Sequence, residues 1–322
     1  MSRRIVSFAA ERWPIAGEFR IARGARTHVD VVLVRVDDGE GECVPYKRYG
    51  ETVESVLAQL EGVRGALENG GDALALLPPG AARNGIDSAL LDAAAKKTGV
   101  PVWQQLGLMR PEPALTAYTL SIDTPDAMAA KGAGYPLLKI KVGGETLEAD
   151  LARLEAIHAA NPSAKLIVDA NEGWSLADCR AALPVLQRLP LVVLEQPLPA
   201  SDSAALAELR AELPIFADES FHTADDIATV LPWARGVNVK LDKAGGVRPV
   251  LAAIQAARAA GLSVMLGCML ATSRSMLAAF CLSSLADVLD LDGPLLLAMD
   301  VAVPAAYKDK SFISLPDGGW GQ

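Results

Sequence analysis

Lys141, Asp169, Glu195, Asp218, Lys240, Cys268 and Asp290 follow one another at intervals of 28, 26, 23, 22, 28 and 22 residues. Each closes a short apolar run: "LLKIKVG", "KLIVDAN", "LVVLEQP", "PIFADES", "GVNVKLD", "LSVMLGC" and "DVLDLDG". An interval of that size holds one strand and one crossover helix. In a βα barrel the C-terminal strand ends converge on one mouth, where catalytic groups sit. The ladder therefore predicts a single polar cluster. Its composition is acidic in the middle and basic on both flanks.

Taken singly, each acid is more simply a loop residue or a helix cap. Three at matched strand ends are different, because carboxylates packed together repel and resist ionising. A hard divalent cation removes that problem, and oxygen ligands without His or Cys suit Mg²⁺. Asp169, Glu195 and Asp218 are the candidate metal ligands. Lysines stand on either side of them. Lys139 and Lys141 alternate with Leu138, Ile140 and Val142, so strand geometry puts both ammonium groups on one face. Lys240 follows on the far side of the barrel. A free lysine near pKa ~10.4 is a poor base at neutral pH, whereas general-base lysines are tuned to about 7–8. Neighbouring ammonium groups, a metal and burial are expected to push these lysines downward. Two lysines on opposite sides of a bound carbon could take a proton from one face and return it to the other. That is racemisation or epimerisation by 1,1-proton transfer through an enolate.

The elements that must position these groups fall into two textures. Residues 1–113 open with "RTHVDVVLVRVDDGEGECVPYKRYG", an alternating run, a turn and a second strand. Helical patterns follow at 52–68 and 80–97, the first with Val53, Val56, Leu57 and Leu60 in an apolar stripe. "TGVP" ends the second. From 114 to 299 the strands quoted above, with "LTAYTLSI" as the first, alternate with Ala/Leu-rich helices. Near-continuous apolar strands point to a parallel sheet covered on both faces. The fold class is therefore α/β: a (β/α)7β-type TIM barrel with an α+β N-terminal capping domain over 1–113. The segment 300–322 reads as an extended tail that returns to complete the cap.

Bulk properties narrow the partners. Net charge −9 and a pI near 5.0 argue against nucleic acid or an anionic membrane surface. The N-terminal run "MSRRIVSFAAERWP" is broken by Glu11 and Arg12 and reads as a first strand, not a signal peptide. "AAGLSVMLGCMLATS" is too short to span a bilayer. Cys43, Cys179, Cys268 and Cys281 form no C-x-x-C pair, which suits reduced thiols and a cytoplasmic location. His28, His158 and His222 show no ligand spacing.

"KIK", "VDAN", "LEQP", "ADES" and "VNVKLDKAGG", in that order, resemble the enolase superfamily, whose sites pair a Lys or His base with Mg²⁺. Within it, "ARGARTHVDVVLV", "GECVPYKRYGE", "GAARNGIDSALLD", "LIVDANEGW", "LGCMLATSR" and "DLDGPLLLA" resemble the dipeptide epimerases, and the resemblance covers nearly the whole chain. It implies Mg²⁺ on Asp169, Glu195 and Asp218, with Lys141 and Lys240 as the two acid/base catalysts. Lys139 would contact the substrate carboxylate and lower the pKa of Lys141. Asp290 and Asp292 would bind a dipeptide's N-terminal ammonium, and strand period puts both on one face. Thr119 and Cys268 would line the pocket. Arg23 or Arg26 would reach over the mouth to a substrate carboxylate, which a guanidinium fork suits. The implied reaction interconverts L-Ala-D-Glu and L-Ala-L-Glu, a step of murein peptide metabolism.

Barrels of this type often assemble, so a homo-oligomer accords with the reading. Some relatives carry an acid where this chain has Ala271. N-acylamino acid racemisation and o-succinylbenzoate synthesis are alternatives on the same scaffold, but their substrates lack an ammonium for Asp290 and Asp292. A Schiff-base aldolase using Lys141 or Lys240 is less favoured, and a non-catalytic binding module least.

Overall fold

The alternating N-terminal run becomes a long hairpin. In the computed structural model, which describes residues 3–209, 213–309 and 311–322, β1 (Val6–Ile21) pairs antiparallel with β2 (Gly24–Val36), and β2 with β3 (Gly39–Cys43). Met1 and Ser2 of that first run lie outside the described residues. Strand period divides β2 between two cores. Val32, Val34 and Val36 pack with Val56, Leu60 and Ile86 of the helices Val53–Glu68 and Ala81–Thr98. Val29 and Val31 belong to the core of the barrel instead. β3 approaches the second helix so closely that a Cβ on Gly41 would lie 2.1 Å from the carbonyl oxygen of Gly85.

Eight parallel strands form the barrel sheet, in the order β5 (Tyr118–Leu120), β6 (Leu137–Lys141), β7 (Lys165–Asp169), β8 (Leu191–Glu195), β9 (Ile215–Ala217), β10 (Gly236–Val239), β11 (Ser263–Gly267) and β12 (Val288–Asp290). A parallel bridge between Thr116 and Leu289 joins the first strand to the last. Each strand has an outer and an inner face. Leu138, Ile140, Val142, Leu166, Val168 and Leu194 face outward into the core shared with helices such as Leu147–Ala160 and Leu176–Leu186. The inner positions begin apolar, with Ala117, Leu137, Ile167, Val193, Phe216 and Met265 clustered low in the barrel. Two and four residues further along, the same inner face carries Lys139 and Lys141; Asp169 and Glu195 follow Ile167 and Val193 in the same way. The apolar plug and the charged mouth are one alternation read upward.

The start of the barrel departs from the sequence reading. "LTAYTLSI" is not one strand: β4 (Ala114–Leu115) leaves the barrel to pair with the tail hairpin of β13 (Ala306–Lys308) and β14 (Phe312–Ser314). Beyond that hairpin, Trp320 donates to the carbonyl of Glu40 at 2.7 Å and Gly321 N to Asp92 at 2.8 Å. All four cysteines are free thiols. Among the described residues no helix is long and apolar enough to cross a membrane.

Candidate active site

Strand register sets the charged layer. Lys141 lies opposite Asp169, and Asp169 opposite Glu195, across three adjacent strands. Glu195 is opposite Phe216, so Asp218 stands two residues past the pairing, just beyond β9. Lys240 caps the end of β10, and β12 ends on Asp290. Above this layer is a cavity of about 730 Å³, including its open mouth. Its lining includes Lys139, Lys141, Asp218, Lys240, Asp290, Asp292, Thr119, Cys268, Arg23 and Arg26. Asp169 and Glu195 lie beneath it, fully buried. All the residues singled out in the sequence thus converge on one place.

Their pairing differs from the expected one. Each carboxylate of the triad is held by lysine. Lys139 Nζ is 2.8 Å from Glu195 Oε2, 3.2 Å from Asp169 Oδ2 and 2.7 Å from Asp290 Oδ2. Lys141 Nζ donates to Asp169 Oδ2 at 2.5 Å and Asn171 Oδ1 at 3.2 Å. Lys240 Nζ donates to Asp218 Oδ2 at 2.7 Å, and Lys243 to Asp218 Oδ1 at 2.6 Å. Without a bound cation, Lys139 and Lys240 run opposite to the expected lowering. Burial does favour the neutral amines of Lys139 and Lys240, but the surrounding acids outweigh it and hold both above the ordinary lysine value. Asp218 for Lys240, and Asp290 with Glu195 for Lys139, are the leading partners.

The acids respond to the same balance. Burial raises the Asp169 carboxyl, yet Lys141 and Lys139 bring it below its usual range. Glu195 goes the other way, pushed up to about 8 by burial and then by the charges of Asp169 and Asp218. Its Oε2 is buried and, although near Lys139, accepts no hydrogen bond. Among the described residues no three acid, imidazole or thiol groups form a ready-made ligand shell; each carboxylate of the triad is engaged by an ammonium group. The donor set nevertheless fits a hard cation: three carboxylates on successive strands, with one buried oxygen still without a donor.

Asp290 and Asp292 both border the cavity, but not as strand neighbours. β12 ends at Asp290, and Asp292 begins the 3-10 turn Gly293–Leu296 with φ −101° and ψ 7°. The period-two argument for their common face is thus corrected; the turn folds Asp292 back over β5, where it accepts from Thr119 N at 2.6 Å. Burial, then the charge of Asp290, raises Asp292 to about 7. Asp290 Oδ1 is buried with no hydrogen-bond donor among the described residues.

The two cap arginines differ. Arg23 is engaged: it donates to Asn171 O at 2.9 Å, Glu219 Oε1 at 2.9 Å and Tyr46 OH at 3.1 Å. Arg26 is exposed, borders the cavity and sits 5.9 Å from the centroid of Tyr46, with no carboxylate partner among the described residues. Ala271 is buried, and the acid bound to its loop is Glu42 of the cap, which accepts from Thr272 N at 2.8 Å and Thr272 Oγ1 at 2.6 Å.

Sequence reasoning missed several supports. Asn238 donates to Glu195 Oε1 at 2.7 Å, and its place two residues before Lys240 was a legible signal. Asn171 and Glu219 lie on turns just past predicted residues, and Lys243 lies in the short helix Leu241–Ala244, where no strand periodicity marks them.

Comparison with known proteins follows the same division of the chain. Residues 3–107 match the mandelate racemase/muconate lactonizing enzyme N-terminal domain, and residues 124–322 the enolase C-terminal domain-like family. The L-Ala-D/L-Glu epimerase of Escherichia coli strain K12 is 44% identical over 310 residues, covering 92% of this chain and 96% of its own. An enolase family member from Agrobacterium tumefaciens with homology to dipeptide epimerases, crystallised with sodium and L-Ala-L-Glu, is 41% identical with a TM-score of 0.93, over 98% of both chains. A dipeptide epimerase from Enterococcus faecalis V583, complexed with Mg and L-Leu-L-Tyr, is 29% identical with a TM-score of 0.90, over 99% of both.

Proposed function

Since the chain belongs to the mandelate racemase/muconate lactonizing enzyme family of the enolase superfamily, in the company of its dipeptide epimerases, we propose that it interconverts L-Ala-D-Glu and L-Ala-L-Glu by proton transfer between Lys141 and Lys240. The observation that carries this reading is topological. β6 and β10 are four strands apart in an eight-stranded ring, so Lys141 and Lys240 enter one cavity from opposite walls.

Asp169, Glu195 and Asp218 would hold Mg²⁺, the metal in the E. faecalis relative. When bound, the cation supplies fixed positive charge where the substrate carboxylate gains electron density. One lysine, neutral, takes the α-proton of the C-terminal residue, leaving a planar enolate. The other, as ammonium, returns a proton to the opposite face. Both lysines are more than nine-tenths buried, which limits exchange with bulk water during the transfer. Lys139, between Glu195 and Asp290, contributes charge at the substrate carboxylate. Asp292 and Asp290 receive the N-terminal ammonium; a cation there relieves the repulsion that lifts Asp292. Arg26, with no carboxylate partner among the described residues, takes the glutamate side chain, and Thr119 and Cys268 border the bound peptide.

Incubation of a dipeptide panel in D₂O with Mg²⁺, read by mass spectrometry, tests this. Deuterium is expected in the glutamate of both L-Ala-D-Glu and L-Ala-L-Glu. Exchange confined to N-acylated amino acids, or to cationic or hydrophobic dipeptides, contradicts the substrate assignment. Activity that survives EDTA, with borohydride trapping of a substrate adduct, contradicts the mechanism.

A further inference from the structure

Two adjacent residues beyond β7 adopt a conformation that side chains seldom take. Asn171 has φ +46° and Glu172 φ +69°, both in the left-handed region. Asparagine tolerates it; glutamate rarely does. Such backbone persists only where its surroundings over-determine it, and it concentrates at working sites. The barrel supplies part of the surroundings here, with Glu172 N donating to Gln196 O at 2.9 Å and Ala200 N to Glu172 Oε1 at 2.9 Å, and the cap supplies the rest.

Arg23 donates to the Asn171 carbonyl at 2.9 Å and lies 3.4 Å from Glu172 Oε2. Arg48 grips both oxygens of Glu172, at 2.6 and 2.7 Å. Neither arginine belongs to the barrel, so two cap residues clasp one turn of it. The turn in turn holds the base. Asn171 Oδ1 accepts from Lys141 Nζ at 3.2 Å, and its Nδ2 donates to Glu219 Oε1 at 3.3 Å. Arg23 reaches the same Glu219 oxygen at 2.9 Å. The Asn171 side chain is thus fixed on one side by Lys141 and on the other by a carboxylate that Arg23 secures.

We propose that Arg23 and Arg48 latch the cap onto the Asn171–Glu172 turn and, through Asn171, position Lys141 for proton transfer. Arg23 is then a positioning residue and not the ligand of a substrate carboxylate. Seating the cap fixes the Lys141 wall through Asn171, whereas Lys240 is held by Asp218. The catalytic half of this inference rests on the proposed two-base reaction. The latch itself does not.

The test uses the full chain and the variants Arg23→Met and Arg48→Ala, with Arg23→Lys as the conservative control. Amide hydrogen exchange over residues 170–175 reads the latch without substrate. Loss of charged hydrogen bonds should raise exchange there on the order of tenfold in Arg23→Met and Arg48→Ala, with partial recovery in Arg23→Lys. Unchanged exchange overturns the latch. In D₂O with Mg²⁺, the stereoisomer that still exchanges in Lys240→Ala identifies the Lys141 face. On that face Arg23→Met should lower kcat on the order of 10–100-fold, as misplacement of a reacting group does, with KM little altered. On the Lys240 face the change should stay within about threefold. A raised KM for glutamate dipeptides alone, with both faces affected equally, makes Arg23 a substrate ligand and overturns the positioning role. If wild type exchanges no dipeptide while the turn loosens in the variants, the proposed function fails and the latch stands.

Discussion

Glu195 is a carboxyl group surrounded by reasons not to ionise: burial, Asp169 and Asp218. One of its oxygens is steadied by Asn238 Nδ2 at 2.7 Å. Asn238 has room because the next strand ends in glycine; a Cβ on Gly267 would lie 2.3 Å from Asn238 Oδ1. Asn238→Ala, or Gly267→Ala by pushing the amide away, should weaken Mg²⁺ binding by about 10–100-fold, as loss of an outer hydrogen bond to a metal ligand does. Isothermal titration with Mg²⁺ checks this; unaltered affinity in both variants contradicts it. At this scale the sequence was informative wherever chemistry coincided with alternation. Lys139, Lys141, Asp169 and Glu195 occupy inner positions of strands, so type and spacing agreed. The state of the lysines was not legible, because it depends on how many acids surround each one, and that count emerges only when distant strands meet.

Between elements, two buried carboxylates tie cap to barrel in opposite directions. Glu42 of β3 binds Thr272 beyond β11, and Asp242 of the helix Leu241–Ala244 accepts from Val44 N at 2.9 Å and Asn84 Nδ2 at 2.8 Å. Burial raises each to about 7. The folded state therefore binds their protons more tightly than the unfolded chain, and stability falls as pH rises from the ordinary carboxyl range through about 7. Melting temperatures of EDTA-treated protein should decline from about pH 5 to about pH 8, with a shallower slope in Glu42→Gln/Asp242→Asn. A rising profile, or an unchanged slope in the double variant, contradicts this assignment. These ties were invisible in the sequence because their partners lie 230 and 198 residues away. The eight strands were visible because each is an apolar run with a polar end. The misread element, "LTAYTLSI", fails for a related reason: β4 and β5 share one apolar pattern, and only the tail strand reveals that they separate.

For the whole molecule, ring closure does what no local pattern could. It turns two lysines 99 positions apart in the chain into opposing walls of one cavity. The even spacing of the ladder made that ring legible; the cap's grip on the rim, through Arg23, Arg48 and Glu42, was not. The central claim is that each lysine serves one face of the same carbon. Deuterium incorporation from D₂O into L-Ala-D-Glu and L-Ala-L-Glu, compared in Lys141→Ala and Lys240→Ala, tests it most directly. Neither variant should epimerise, each should still exchange one stereoisomer, and the surviving stereoisomer should differ between them. Loss of exchange from the same stereoisomer in both variants, with both folded by circular dichroism, would contradict it.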